Sequence, residues 1–475
     1  MARPFSHLTL HSIIDDHPDA PAIISAAEQI SWRQVAAGIA DKRLGLLKLG
    51  LQEGDKCAIY APASVASVET LLAMWSMGIV AVPLNTRLPV GQIGNLLNYI
   101  ECDYLITESP IAVSAWLRCH SLSDVENQTA KKSIEGYFKL NSDATIIFTS
   151  GSTGTGKACL HTVGNHFYSA LGSNQNIRIE PGDAWLLSLP LYHVSGIAIL
   201  FRCLLSGGAI VIPPAVSLAD ALRRLTPTHL SLVATQLQML LAEHVIVEKL
   251  KMMKAILLGG SAMPAKLIER AFELGLPIHT SYGSTEMSSQ ITTTTPGASL
   301  QELKTGGAIL QYRELMLTPD GEILVRGETL CRGYVHGAIV QSIADGDGWH
   351  HTRDLGSLDA SGHVTIAGRA DNMFISGGEN IYPEEIERAL ERLAGIARAL
   401  VVPIDDDKFG QRPVAFVEPQ AGHAFDAIRF DELRMVLPGF KIPLRFFPWH
   451  AEKDAKPNRA RLQHLAGELS RQSQS

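Results

Sequence analysis

Eight short apolar runs, separated by helix-length amphipathic stretches, set the tightest limit on how this chain can fold. They are "DKCAIYA" from residue 55, "GIVAVPL" from 78, "DYLIT" from 103, "ATIIFT" from 144, "WLLSLP" from 185, "AIVIPP" from 209, "HLSLVAT" from 229 and "KAILLGG" from 254. The last is followed by "PAKLIERAFELGL", an amphipathic helix pattern. Strands that alternate with helices favour α/β architecture with mostly parallel sheets. At roughly 150 residues per domain, the 475 residues allow two or three units. After about residue 310 the pattern shifts to shorter strands with turn signals: "GEILVRG", "CRGYV" and "DASGHVTIAGRADN". These predict a small β-rich antiparallel segment closing the large unit. "PEEIERALERLAGIARALVVPI", from Pro383 onward, predicts a small α+β unit near the C-terminus.

Several function classes are disfavoured by charge and patterning. A net charge of -7 argues against a nucleic-acid surface, which concentrates Lys and Arg. The most apolar run, "LLAMWSMGIVAVPL" (Leu71 to Leu84), is too short to span a bilayer and contains Gly and Pro. The first residues lack the long apolar core of a signal peptide, so a cytoplasmic enzyme is the expectation. The six cysteines (57, 102, 119, 159, 203 and 331) show no C-x-x-C pair and no zinc spacing. They read as reduced core thiols.

The chemistry concentrates first in "FTSGSTGTGKACLHT", Phe148 to Thr162. From Gly151 it follows a P-loop pattern up to the last position, where Ala158 replaces the Ser or Thr that would hold magnesium. A P-loop also runs straight into a helix whose N-terminus faces the phosphates. Here "KACLHT" reads as extended, and only "VGNHFYSAL" reads as helical. The loop is therefore expected to join two strands, with hydroxyls and backbone N–H groups around phosphate oxygens. A Walker-type ATPase is disfavoured.

The string T-S-G-S-T-G-x-x-K resembles the phosphate loop of the adenylate-forming superfamily, with Gly156 where Pro is usual and Ala158 where Gly is usual. The resemblance continues in order through "LPLYHVSG", "LLGGSAMP", "SYGSTE", "HTRDLG", "GRADNMFISGGENIYPEEIE" and "KPNRARL". It implies a large N-terminal domain, 1–370, and a small mobile C-terminal domain, 371–475, that rotates about Asp371. By this resemblance Thr149, Ser150, Gly151, Ser152, Thr153, Gly154 and Lys157 cradle phosphates. Gly259, Gly260 and Ser261 lie against the nucleotide, Tyr282 packs on adenine, Gly283 belongs to the same cofactor-binding segment, and Thr285 bonds the α-phosphate. Glu286 holds Mg²⁺, Asp354 takes the ribose hydroxyls, and Arg369 reaches ribose or phosphate. His193 borders the carboxylate pocket, Lys456 is the adenylation lysine, and Ser376, Gly377 and Gly378 line the path of the CoA thiol. ATP, Mg²⁺ and CoA are the implied cofactors and co-substrate. A homodimer is left open.

Within the superfamily, "LPLYHVSGIAILFR", "LVATQL", "GWHHTRDLG" and "RADNMFISGGENIYPEEIE" resemble the 2-succinylbenzoate–CoA ligases. Another aryl- or medium-chain acyl-CoA ligase is the alternative. 2-Succinylbenzoate has a second, unreacting carboxylate, for which Arg202 is one candidate partner. The other reading of Arg202 is an arginine that snorkels from an apolar helix. An amino-acid adenylation domain would place an Asp near His193, where this chain reads "YHVSG".

Overall fold

The computed structural model describes residues 7–9, 16–109, 111, 113–126, 137–149, 157–260, 263–376, 379–406, 409–449 and 459–472. All eight apolar runs form strands, divided between two large sheets. Gly333–His336, Ala158–Thr162, Asp143–Phe148, Val80–Pro83, Lys56–Tyr60 and Tyr104–Thr107 lie in that order in an eight-stranded sheet. The nine-stranded sheet has Ser289–Thr293, Ile278–Ser284, Ala255–Leu258, His229–Leu232, Ala184–Leu186 and Ala209–Val211 in sequence across it. Their central pairings are parallel, and antiparallel strands finish the sides that carry the site. The fold is mixed α/β with large parallel-containing sheets and a smaller C-terminal domain.

Burial explains why the runs are continuous rather than alternating. Val80–Pro83, Tyr104–Thr107, His229–Leu232 and Ala255–Leu258 are buried at every position, as befits strands covered on both faces. A core built around Trp32, Trp75, Phe138, Trp185 and Phe201 packs between helices and sheets. Five of the cysteines are buried and unpaired, and Cys119 is half-buried.

The stretch after residue 310 departs from expectation in one element. Arg313–Leu317, Glu322–Gly327, His350–Leu358 and Val364–Arg369 form the expected antiparallel sheet. Gly333–His336, from "CRGYV", leaves it and adds to the eight-stranded sheet beside Ala158–Thr162. The segment thereby ties the small sheet to the phosphate-loop sheet.

The chain from Phe374 on builds its own five-stranded sheet and core, with Ile386, Leu390, Ile396, Val401, Val417 and Leu433. Its helix Pro383–Arg392 has Pro at its first turn with Glu384 and Glu385 behind it, a favourable N-terminus. Arg459 clamps Glu387 at 2.7 Å and Glu384 at 3.2 Å, fixing the start of the last helix, Arg459–Gln472. Among the described residues, hydrogen bonds join this portion to the rest: Lys266 Nζ donates to Leu393 O at 2.8 Å, Asn372 Nδ2 to Glu384 Oε1 at 2.6 Å, and Arg388 Nη2 to Ala367 O at 2.7 Å with its Nη1 to Ile366 O at 3.4 Å. Among the described residues, no helix is long and apolar enough to cross a membrane.

Candidate active site

The predicted phosphate loop does join two strands. Asp143–Phe148 and Ala158–Thr162 are antiparallel neighbours, with Ala158 opposite Phe148. Thr149 N donates to Lys157 O at 2.8 Å, and Lys157 N donates to Thr149 Oγ1 at 3.2 Å, closing the base of the loop. The helix begins only at Val163, with Thr162 and Asn165 forming a capping box. No helix N-terminus therefore faces the loop from its own C-terminal end, unlike a P-loop. Ser150, Gly151, Ser152, Thr153 and Gly154 lie outside the described residues, as do Ser261, Gly377, Gly378 and Lys456.

The "SYGSTE" segment ends a strand of the other sheet. Gly259 and Gly260 follow the neighbouring strand, so these segments meet at carboxyl ends of adjacent parallel strands, where ligand clefts of α/β sheets form. A Cβ at Gly283 would stand 2.1 Å from Ser289 O, which only glycine avoids. The turn after Glu286 places Ser288 at φ 56° and Ser289 at φ 122°. Such conformations cost energy and persist only where neighbours over-determine them. Here the neighbours are named: Ser288 Oγ donates to Thr329 O at 2.9 Å, and Ser169 Oγ donates to Ser288 O at 2.8 Å. His161 Nε2 donates to Thr285 O at 2.7 Å. Burial lowers the His161 pKa, and it lowers that of the adjacent His166 further, keeping both rings neutral.

Three predicted residues converge around one carboxylate. Tyr282 Oη donates to Asp354 Oδ2 at 2.6 Å, and Arg369 Nη1 donates to Asp354 Oδ1 at 3.0 Å. Burial pushes the Asp354 carboxyl up, although both donors favour its charge. Burial opposes charge on Arg369 too, yet Asp354 and Asp371 outweigh it and raise its pKa. Arg369 Nη2 also bonds Asp371 Oδ2 at 3.0 Å, so the expected hinge residue touches this cluster.

Glu286 is held by a residue that the sequence reading passed over. Tyr334 Oη donates to Glu286 Oε1 at 2.8 Å, and Lys157 Nζ lies over the Tyr334 ring, 4.7 Å from its centroid. The carboxylate oxygens of Glu286 are hard donors. Mg²⁺ takes one or two carboxylates and completes its shell with substrate phosphates and water. The donor set therefore fits a cation that arrives with a nucleotide. Among the described residues, no group of three His, Cys, Asp or Glu could hold a metal by itself.

The remaining expected residues lie elsewhere. His193 is exposed at the N-terminus of helix Val194–Ser206, its ring 4.8 Å from that of Tyr192. Arg202, further along that helix, does not snorkel: it is 1% exposed. Its Nη2 donates to Gln290 Oε1 at 2.7 Å and to Ser289 Oγ at 3.3 Å, and its guanidinium lies 4.9 Å from the Trp185 ring centroid. Among the described residues its Nε has no acceptor. Burial lowers its pKa to about 10. Ser376 is buried on the strand Phe374–Ser376.

The family profile described as "AMP-binding enzyme" matches residues 11–335. The chain belongs to the AMP-binding enzyme family. Among curated members of this family, the 2-succinylbenzoate–CoA ligase of Salmonella typhimurium is 34% identical over 434 residues, covering 91% of each chain. Among solved structures, o-succinylbenzoate CoA synthetase (MenE) from Bacillus subtilis in complex with the acyl-adenylate intermediate OSB-AMP superposes with a TM-score of 0.86 at 29% identity. It covers 97% of this chain and 99% of its own. The same Bacillus subtilis enzyme in complex with ATP and magnesium ion gives a TM-score of 0.84 at 29% identity, covering 95% and 98%.

Proposed function

We propose that this AMP-binding family member is an AMP-forming acid–thiol ligase that converts 2-succinylbenzoate, ATP and CoA to 2-succinylbenzoyl-CoA, AMP and pyrophosphate. The observation that carries the reading is the convergence of Tyr282 and Arg369 on Asp354, beside the separately anchored Glu286. Asp354 would accept the ribose hydroxyls, with Arg369 reaching ribose or phosphate. Tyr282 and Gly283 would bound the adenine, and Gly259, Gly260 and Ser261 would line the nucleotide's other side. Thr149 to Gly154 and Lys157 would hold the phosphates, with Thr285 at the α-phosphate. Glu286 would hold Mg²⁺, which supplies charge neutralisation of the triphosphate when bound. The relatives' complexes with ATP, magnesium and the acyl-adenylate support a site for a magnesium-bound nucleotide.

The chemistry proceeds in two steps. A substrate carboxylate oxygen attacks the α-phosphorus, the P–O bond to pyrophosphate breaks, and an acyl-adenylate results. The CoA sulfur then attacks the acyl carbon, its thiol proton is lost, and AMP leaves. Fixed donors aimed at developing phosphate charge favour the first step. Lys456, in the proposed small domain 371–475, would add its cation there. Rotation about Asp371 would then withdraw it and bring Ser376, Gly377 and Gly378 to the thiol.

Arg202 supports a dianionic acid. It is a buried cation with neutral acceptors and, among the described residues, no partner for its Nε, an arrangement that a substrate carboxylate would complete. His193 would border the same pocket. The test is AMP and pyrophosphate release with ATP, CoA and a panel of acids. The kcat/KM for 2-succinylbenzoate should exceed those for benzoate and medium-chain acids by at least about a hundredfold, because buried polar groups would otherwise stay unpaired. A simple benzoate or fatty acid that wins would move the assignment to another acyl-CoA ligase. Release of ADP and phosphate would overturn the adenylation reading.

A further inference from the structure

Tyr334 stands on the phosphate-loop sheet, yet its hydroxyl reaches Glu286 on the segment that ends a strand of the other sheet. Its strand is pinned on both sides, with Cys159 opposite Tyr334 on one neighbour and Gln341 opposite it on the other. The segment also grips Glu286 by its backbone, since Cys331 N donates to Glu286 O at 2.7 Å. A carboxylate only accepts, so the phenol hydroxyl is the donor in this contact. The same ring offers its face to Lys157 Nζ, at 4.7 Å.

One neutral side chain therefore touches the two opposite charges on which metal–nucleotide binding is proposed to depend. An ammonium and a carboxylate that face the same triphosphate attract each other strongly when partly removed from water. A direct ion pair between them would have to break before the carboxylate could take a cation and the lysine a phosphate. Among the described residues, no ion pair joins Lys157 to Glu286. Instead the carboxylate has a hydroxyl partner at the ring edge, and the ammonium has the electron-rich face. Each of these neutral partners holds its charge more weakly than a direct ion pair between the two would.

We infer that Tyr334 is a positioning residue that keeps Glu286 and Lys157 apart, presenting the carboxylate to the incoming cation and the ammonium to the phosphates. The inference rests on the nucleotide-binding part of the proposed function. It is independent of which acid is activated.

The test measures binding rather than turnover, with Mn²⁺ and the non-cleavable α,β-methylene-ATP as probes. Bound Mn²⁺ is followed by electron paramagnetic resonance, and nucleotide affinity in EDTA by calorimetry. Tyr334→Phe keeps the ring and removes the hydroxyl. It should weaken Mn²⁺ binding in the ternary complex about tenfold, the scale for one hydrogen bond to a charged group, and leave nucleotide affinity in EDTA unchanged. Tyr334→Leu also removes the ring face, so it should weaken nucleotide binding in EDTA as well. In a Lys157→Met background the Tyr334→Phe effect should shrink to within about twofold, because the competing ammonium is gone. Wild-type Mn²⁺ affinity in Tyr334→Phe would overturn the inference. So would equal losses with and without metal, or an effect undiminished in the Lys157→Met background. Because no acid is present, failure of 2-succinylbenzoate as substrate would leave this comparison standing.

Discussion

Asp354 and Arg369 sit directly opposite each other on antiparallel strands, and their side chains meet at 3.0 Å. The pair is a fixed feature of the sheet, since register places both side chains on one face. Asp354→Asn keeps the shape and removes the charge that two donors now hold. It should raise the KM for ATP by about ten- to a hundredfold, the range for hydrogen bonds to a charged group, with a smaller effect on kcat. An unchanged KM would remove Asp354 from the ribose site.

Glu286→Gln should abolish most acyl-adenylate formation at limiting Mg²⁺ while thermal unfolding stays close to wild type. The substitution retains an acceptor for Tyr334 Oη and loses the charge a hard cation requires. Near-normal turnover at limiting Mg²⁺ would show that another group binds the metal.

Arg202→Met separates stability from recognition. Replacing a buried, incompletely paired cation by an apolar side chain of similar length is often neutral or stabilising. The melting temperature should therefore hold or rise, while kcat/KM for 2-succinylbenzoate falls about a hundredfold and activity with benzoate does not. A parallel fall for both acids would show that Arg202 serves the fold alone.

Lys456→Ala should slow acyl-adenylate formation by about a hundredfold, the scale of one lost electrostatic donor. Conversion of supplied acyl-adenylate and CoA should continue near the wild-type rate. Asp371→Pro, which restricts the backbone at the proposed hinge, should impair thioester formation more than adenylation. Equal slowing of both half-reactions by Lys456→Ala would mean that the lysine is structural.

Glu391 supplies a pH test of the C-terminal portion. Burial pushes its carboxyl up to about 7, with the Glu387 charge adding and the Ala399 N–H pulling the other way. An unfolded glutamate titrates near ~4.3. The folded chain thus retains a proton that the unfolded chain releases, so stability falls as pH rises from about 4 to about 7 and then levels off. Glu391→Gln should gain up to about 3 kcal/mol over wild type at pH 8 and nothing at pH 4, as read from denaturant midpoints. Identical gains at both pH values would rule out the titration.

Local order was largely legible in the chain. The buried strands announced themselves as unbroken apolar runs, and the extended character of "KACLHT" separated a strand–loop–strand from a P-loop. Partnership between distant segments was not. "CRGYV" reads as a strand, but nothing in its five residues says which sheet receives it, and Tyr334 owes its contact with Glu286 to that choice. Arg202 shows the same limit: an apolar helix with one arginine fits either a wet or a buried head group, and only the packing of Gln290 and Trp185 decides. His161 had no signal at all, since its acceptor is a backbone carbonyl 124 positions away.

The clasp of residues 329–334 around the Glu286 turn also orders events in time. Chains are made from the N-terminus, at roughly 5–20 residues per second, and N-terminal portions begin to organise first. The strands flanking the phosphate loop are complete early, yet Tyr334, Asp354 and Arg369 emerge much later. A nascent chain stopped before Gly333 can form neither the Tyr334 contact nor the Asp354 cluster. Nucleotide is thus a late ligand, one that rewards the finished molecule and cannot template its assembly. A ribosome-bound series of increasing length should acquire ATP affinity abruptly once residue 369 has cleared the exit tunnel.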